Sequence, residues 1–481
     1  MELVFKGHRF VYHVESMIKM FYPVARFHYA SSVPEHGEWI CAIIEREGDV
    51  LCVSVSANLQ GSCDSRCQKL PFNADESVQR DTLCSLIYRL LSSLCSVRLE
   101  WGMLTGVRPV KRVQKMLDSG LDFVEIEEIL NKRFDVSKGK IDLLIKIAKV
   151  QREVGLTRSK RGIHLYVSIP FCPSRCHYCS FISQTATGEN NRLLYDYLEA
   201  LKREIAVVGE LVGRLGLLVQ TVYIGGGTPT VLSAEQLLNL TDWLSSAFSI
   251  ENPVEYTVEA GRPDTITEEK LRILLHAGVT RISVNPQTFE DDVLLAIGRN
   301  HTCEQTLRAF ALARKVGFDH INMDFIVGLP NDCLRTFSKT IQQAIHLSPE
   351  SITLHTLALK RSSAFYERAY RSVSKQVCAM LTMGEDALEK AGYRPYYLYR
   401  QKNMIESLEN VGYAKKGFES LYNIDMMDEN QTVLSIGAGG ATKLVCDDTI
   451  KRVFHFKYPR EYIEGLEEML ARYREVETFY D

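Results

Sequence analysis

The stretch HLYVSIPFCPSRCHYCSF, residues 164–181, runs an apolar strand into a tight loop that carries Cys172, Cys176 and Cys179. Cysteines spaced C-x3-C-x2-C on one short loop can bring three thiolates to one metal centre, and Pro170 and Pro173 stiffen the approach. A tetrahedral zinc site asks for a fourth protein ligand and usually for C-x2-C pairs; a redox disulfide asks for C-x2-C alone. Three cysteines on four irons leave one iron open, which suits a cluster that binds a small molecule. The plainer assignment is a structural zinc knuckle completed by His177 or His164.

Beyond this loop, short apolar strands alternate with amphipathic helices. The strands fall at 164–170, 219–227, 254–261, 280–287, 320–330 and 351–359, and the helices near 190–214, 233–247, 267–277, 303–316 and 333–347. Six strands with helices between them predict a parallel sheet, either barrel-like or doubly wound. Several strands end in polar, Gly or Pro residues at the edge where β/α barrels build active sites. After residue 365 come a long helix, a Tyr-rich segment (393–400), a strand and turn around 434–441 and a terminal helix, read as an extension that caps the barrel.

Upstream of the loop the texture is α+β. Alternating runs at Leu3–Val14, Trp39–Ile44 and Val50–Val55 predict strands, and the spacings Leu83, Ile87, Leu90, Leu91, Leu94 and Ile141, Leu144, Ile145, Ala148 predict helices. The basic segment 157–162 reads as a linker. The expected division is 1–157, 163–365 and 366–481.

Composition narrows the function. The 481 residues are 46% hydrophobic and 24% charged, which excludes disordered, collagenous and coiled-coil classes. Fifty-seven basic against 60 acidic residues give a net charge of -3, with no electrostatic footprint for nucleic acid. No apolar run is long enough to span a membrane, and MELVFKGHRFVYHVE lacks a signal peptide's apolar stretch, so a cytoplasmic protein is expected. Of 13 cysteines, ten lie outside the loop; most sit in apolar surroundings and read as small hydrophobes. Cys63 and Cys67 have no third cysteine nearby and read as structural.

The cysteine loop resembles the cluster loop of the radical S-adenosylmethionine (SAM) superfamily, and the likeness extends over residues 164 to about 360 as an ordered series of motifs. Within that superfamily it is similar to the oxygen-independent coproporphyrinogen III oxidases, also called coproporphyrinogen dehydrogenases, in the variant with a long N-terminal domain. The resemblance implies an α/β fold: a partial (β/α)6 TIM-like radical SAM barrel with an α+β N-terminal domain and a C-terminal extension. It implies a 4Fe-4S cluster on Cys172, Cys176 and Cys179, and one or two molecules of SAM. Tyr166 in YVSIPFC matches a SAM-contacting tyrosine, and Tyr178 the aromatic residue beside the adenine. Gly226, Gly227 and Thr228 in GGGTPT match the second-strand glycine motif. Glu259 in VEAGRPD, Gln287 in SVNPQTF, Arg299 in IGRNHT and Asp324 in NMDFIVGLP match further SAM-binding positions, with Arg299 facing the SAM carboxylate and Asp324 the ribose hydroxyls.

The implied chemistry is one-electron cleavage of SAM to methionine and a 5'-deoxyadenosyl radical. That radical takes hydrogen from the β-carbon of a propionate, carbon dioxide leaves, and two such steps give protoporphyrinogen IX. The implied partners are the porphyrinogen and a low-potential electron donor such as flavodoxin or ferredoxin, with no nucleic acid and no membrane. Phe181 replaces the fourth cysteine of the best-known members, Ser168 replaces a histidine, and the first 155 residues do not resemble their short substrate-covering arm. Arg108, Lys111 and Arg112 suit propionates but read more simply as a solvated basic helix start. Tyr396, Tyr397, Tyr399 and Arg400 suit a macrocycle with carboxylates or, equally, packing of the extension. The turn at Gly437–Gly440 suits close approach to a ligand. Related haem chaperones carry a His-Asn-x-x-Tyr-Trp segment near where this chain reads RQKNM (400–404), which counts against that alternative. Anaerobic haem breakdown and methyl transfer are further alternatives.

Overall fold

A computed structural model of the chain describes residues 1–22, 25–155, 159–179, 184–186, 190–250, 255–358, 369–401, 404, 407–446 and 449–480. Two compact units result: Met1–Ile145 with Arg400–Leu408, and Lys146–Tyr399 with Glu409–Asp481.

In the first unit β1 (Glu2–Lys6), β2 (His28–Ala30), β3 (Trp39–Glu47), β4 (Val50–Leu59) and β5 (Ser62–Pro71) form one sheet in the order β2-β1-β3-β4-β5. The strand expected over Leu3–Val14 ends early. Gly7 turns the chain at φ +74, where a Cβ would meet the Ile44 carbonyl oxygen. Val11–Phe21 is then helix α1, burying Val14, Met17 and Ile18 at helical spacing. Strand β5, too polar to announce itself, is an edge that pairs with β4 alone. Cys63 and Cys67 are exposed on it and stand four residues apart, about 13 Å in an extended chain, too far to share one ion. Helix α2 (Glu76–Cys95) packs Leu83, Ile87, Leu90 and Leu91 into the same core as Val53 and Val55. Helices α3 (Pro109–Asp118), α4 (Phe123–Phe134) and α5 (Lys138–Val154) follow, and the Arg112 guanidinium lies 4.8 Å from the centre of the Phe134 ring. The boundary between the units falls inside α5, ahead of the expected linker, whose Thr157 and Arg158 lie outside the described residues.

The second unit contains β6 (Gly162–Ile169), β7 (Phe171–Cys172), β8 (Gln184–Thr185), α6 (Asn190–Arg214), β9 (Leu218–Gly226), α7 (Ala234–Ala247), β10 (Glu255–Glu259), α8 (Glu268–His276) and β11 (Arg281–Ser283). It continues with α9 (Asp291–Ala296), α10 (Cys303–Val316), β12 (Ile321–Val327), α11 (Leu334–Leu347), β13 (Ser351–Thr356) and α12 (Ala369–Lys390). Strands β6, β9, β10, β11, β12 and β13 lie side by side in chain order, every pair parallel. A doubly wound sheet would reverse its strand order at a switch point. None occurs in this series, so the barrel-like alternative is the one built.

The extension does not cap the barrel. Strands β14 (Arg394–Tyr399) and β15 (Asn410–Ala414) continue the sheet past β13, β15 pairing antiparallel with β13 and β14 with β15. Strand β16 (Thr432–Ile436) pairs parallel with β6 on the opposite edge, followed by β17 (Ala441–Cys446) and β18 (Thr449–Phe454). A partial barrel leaves two edges of unpaired backbone, and the strands of the extension cover both. Helix α13 (Leu421–Asp428) is docked by Glu255, whose carboxylate accepts from Ser420 Oγ at 2.8 Å and Leu421 N at 2.7 Å. The terminal helix is three short ones, α14 (Pro459–Glu464), α15 (Leu466–Arg472) and α16 (Arg474–Tyr480). Among the described residues no helix is long and apolar enough to cross a membrane.

The turn after β16 is pinned by a buried acid on α6. Glu204 accepts from Gly437 N (2.7 Å) and Tyr462 OH (2.6 Å), and its other oxygen lies 2.8 Å from Tyr473 OH. Tyr473 OH also lies 2.8 Å from Ser435 O. That hydroxyl has one hydrogen; donated to Ser435, it leaves its oxygen to accept a proton from a neutral Glu204. Burial pushes the Glu204 carboxyl up to about 7 against an ordinary 4.5, although the hydrogen bonds from Tyr462, Tyr473 and Gly437 pull the other way. A carboxyl raised on folding lends stability that is full below its ordinary value and lost as pH climbs through about 7, here about 3 kcal/mol. Glu204→Gln should therefore flatten the pH dependence of the urea midpoint between about pH 5 and about pH 8 relative to the parent chain. An unchanged slope would show that Glu204 is ionised throughout.

Candidate functional site

The cysteine loop is fastened on three sides. Gln184 N donates to Pro170 O at 2.9 Å and Ala186 N to Cys172 O at 3.0 Å. From the end of β9, Gly227 N reaches Ile169 O at 2.9 Å and Thr228 N reaches Phe171 O at 2.8 Å, while His177 N reaches Ile297 O at 3.0 Å. A Cβ on Gly227 would lie 2.3 Å from the Phe171 carbonyl oxygen, and Gly226 turns at φ +109 beside Ser168 Oγ. The immediate work of these glycines is to let β9 lie flush against the cysteine loop. Thr228 is buried with Oγ1 3.6 Å from Cys172 Sγ. Cys176 is buried, and Cys172 and Cys179 are half-buried; Phe181 lies outside the described residues.

Among the described residues no three His, Cys, Asp or Glu side chains stand close enough to hold a single metal ion. The histidines considered for a zinc knuckle face elsewhere. His164 bonds Thr221 Oγ1 (2.8 Å) and Asp425 Oδ2 (3.1 Å) toward the far end of β6, and His177 Nδ1 lies 3.3 Å from Ala296 O. Three thiols on a braced loop fit a cube of iron and sulfide with one open corner, whose ligands stand farther apart than those of one zinc ion.

Glu259 is the last residue of β10, and Asp324 lies midway along β12. Tyr223 OH donates to Glu259 Oε1 at 2.6 Å. Burial pushes Glu259 up to about 7, the Tyr223 hydrogen bond opposing and the Asp324 charge reinforcing. Burial works against ionisation of Asp324 too, yet His355, Asn322 and Thr353 together hold it below its ordinary value. Asn322 Nδ2 donates to it at 2.8 Å, and His355 Nε2 stands 3.7 Å away. The two acids are thus held apart in acidity, one ionised and one near its titration point at neutral pH. Gln287 adopts φ +70, its N–H on Asp324 O (3.0 Å) and its carbonyl on Ile326 N (3.0 Å). A non-glycine residue in that region costs about 1 kcal/mol or more and persists because both neighbours clamp it. Tyr166 stacks at 6.2 Å from Tyr223 and 6.4 Å from Tyr422, lining the barrel interior.

Arg299 is buried, but its guanidinium is turned on the protein. Nη1 donates to Asn285 O (2.9 Å) and Gly261 O (3.2 Å), and Nε and Nη2 to Tyr178 OH (3.3 and 3.0 Å). Arg299 thereby holds Tyr178, which stands between Cys176 and Cys179, in place. Beside it, burial and then the Arg299 and Arg262 guanidiniums push His301 down to about 3, so it is neutral. Sequence reasoning missed Arg262, His355 and Asn322. Period two in SITLHT and INMDF puts His355 in line with Thr353 and Asn322 with Asp324, and Arg262 is three residues past Glu259.

The remaining candidates disperse. Tyr396 and Tyr397 are buried packing residues, Tyr397 OH 3.4 Å from Thr353 Oγ1. Tyr399 also approaches the Asp324 group, its OH 3.4 Å from His355 Nδ1. Arg400 belongs to the first unit, its guanidinium over Trp101 at 5.0 Å and bonded to Ser407 O at 2.8 Å. Gly437 is occupied by Glu204 and packs so closely on Tyr197 OH that a Cβ would lie 2.4 Å away. Lys402 and Asn403 of the RQKNM segment lie outside the described residues.

Residues 166–344 match the family model of the radical SAM superfamily. The chain is 40% identical over 399 residues, 81% of its own length and 79% of the relative's, to the oxygen-independent coproporphyrinogen-III oxidase-like protein HemZ of Bacillus subtilis (strain 168). It is 34% identical over 280 residues, 57% of its length and 69% of the relative's, to the heme chaperone HemW of the same organism. Among solved structures, coproporphyrinogen III oxidase (HemN) from Escherichia coli aligns over 67% of this chain and 73% of that one, with a TM-score of 0.53 at 22% identity, a likeness of fold.

Proposed function

The chain belongs to the oxygen-independent coproporphyrinogen III oxidase family of radical SAM proteins, and from that premise we propose that it converts propionate side chains of coproporphyrinogen III to vinyl groups, giving protoporphyrinogen IX in haem biosynthesis. Its cofactors are a 4Fe-4S cluster and SAM. When bound, they supply a one-electron route to removal of a hydrogen atom from the propionate β-carbon. Each propionate loses that hydrogen atom, one electron and carbon dioxide.

In this reading Cys172, Cys176 and Cys179 ligate three irons. Gly226, Gly227 and Thr228 seat the loop and border the SAM site. Asp324, ionised, accepts from hydroxyl groups, with Gln287 fixing its backbone. Glu259, near its titration point, accepts from an amine or hydroxyl. Tyr166 and Tyr178 offer flat faces, and Arg299 keeps Tyr178 in place. Segments 1–157, 163–365 and 366–481 divide the work into a distinct N-terminal region, the chemistry, and completion of the sheet. A low-potential donor of the flavodoxin or ferredoxin type supplies the electron.

The observation that carries the substrate reading is the 40% identity across 79% of the oxidase-like relative. A second reading, a haem-binding chaperone, is favoured by the 34% identity to the chaperone. Anaerobic incubation of cluster-reconstituted protein with SAM, a low-potential reductant and coproporphyrinogen III separates them. Carbon dioxide and vinyl products are expected. Methionine without decarboxylation would overturn the substrate, and haem captured without SAM turnover would favour the chaperone.

A further inference from the structure

Arg262 stands at the rim of the site with no assigned part in it. Its side chain is 3% exposed. On one side Nε and Nη2 grip Asp264 Oδ1 and Oδ2, both at 3.0 Å, a bidentate clasp that fixes the plane of the guanidinium. On the other side Nη1 carries two hydrogens, one directed to Ser174 Oγ at 3.0 Å and the other toward Cys176 Sγ at 3.8 Å. Ser174 and Cys176 both belong to the cysteine loop, so the guanidinium braces that loop.

We propose that Arg262 is a positioning residue that holds a buried positive charge and an N–H donor on the Cys176 sulfur, and thereby raises the reduction potential of the cluster that sulfur ligates. The inference rests on the cluster assignment and not on the identity of the substrate. A cube held by three thiolates gains one negative charge on reduction. A cation fixed at a ligand sulfur, out of reach of solvent screening, favours the more negative state. Asp264 offsets part of that charge but lies on the far face of the guanidinium. A flexible lysine cannot bridge Asp264 and Ser174 in this way.

The test is a redox titration followed by electron paramagnetic resonance on the cluster-reconstituted full chain, with iron and sulfide measured on the same samples. Arg262→Gln should lower the equilibrium constant for cluster reduction about tenfold or more, a midpoint about 59 mV more negative for one electron. Asp264→Asn, which leaves the guanidinium and removes its counter-charge, should move the midpoint the other way. A midpoint for Arg262→Gln at or above that of the parent chain overturns the proposal. If Arg262→Gln holds no cluster, the Asp264→Asn titration decides, and an unmoved or lowered midpoint there overturns it. A parent chain that shows no cube would instead remove the cluster assignment.

Discussion

Cys176→Ala is expected to leave the reconstituted chain without its cluster. Iron should fall from about four per chain to near zero, and SAM cleavage by at least ~1000-fold, a barrier increase of about 4 kcal/mol. Among the described residues of the loop every cysteine is already one of the three, His177 Nδ1 lies 3.3 Å from Ala296 O, and Arg262 faces the Cys176 sulfur with a cation. The polypeptide should still fold. Cys176 is one small buried side chain, and deleting its sulfur costs on the order of 1 kcal/mol. Iron and sulfide assays with circular dichroism check both halves. Cluster and turnover retained in a folded variant would contradict the assignment of Cys176.

Gly227→Ala should be nearly as damaging by a different route. The new methyl would lie 2.3 Å from the Phe171 carbonyl oxygen and 2.8 Å from Phe171 N, both backbone atoms of β7, which leads into the cysteine loop. Neither can rotate away, so the variant should lose about 3 kcal/mol or more of stability. The hydrogen bond from Thr228 N to Phe171 O should break, and cluster content should fall with it. Gly213→Ala is the control. Its position on α6 is open, with nothing within 4 Å of the added carbon, and alanine favours a helix by about 1 kcal/mol over glycine. Thermal melts of the two variants should therefore move in opposite directions; a neutral Gly227→Ala would mean that β9 does not press on the loop.

The six parallel strands were legible because each is a short apolar run with turn residues behind it, and helices of the right length lie between. What escaped was set by long-range pairing. β5 is polar because this edge strand buries only Leu70 and leaves both faces largely in water, so its alternation is faint. β16 reads like any strand, and nothing local says that its partner is β6 at the far end of the unit. The cysteines were singled out by spacing, and Glu259 and Asp324 by the motifs VEAGRPD and NMDFIVGLP. Arg262 carries no signal of its own in the sequence; its burial and its two-sided grip appear only in the fold. Arg299 was singled out by its motif, and spacing cannot show that its donors meet Tyr178 and two carbonyls.

The parallel pairing of β6 with β16 also sets a timetable for biogenesis. The strand leading into the cysteines is made roughly 260 residues before its outer neighbour. At translation speeds of ~5–20 residues per second that is roughly 13 to 50 s. Throughout that interval the nascent polypeptide carries the thiols on a flank not yet closed. Delivery of iron and sulfide, and protection by chaperones, must contend with that open flank until β16 has been made.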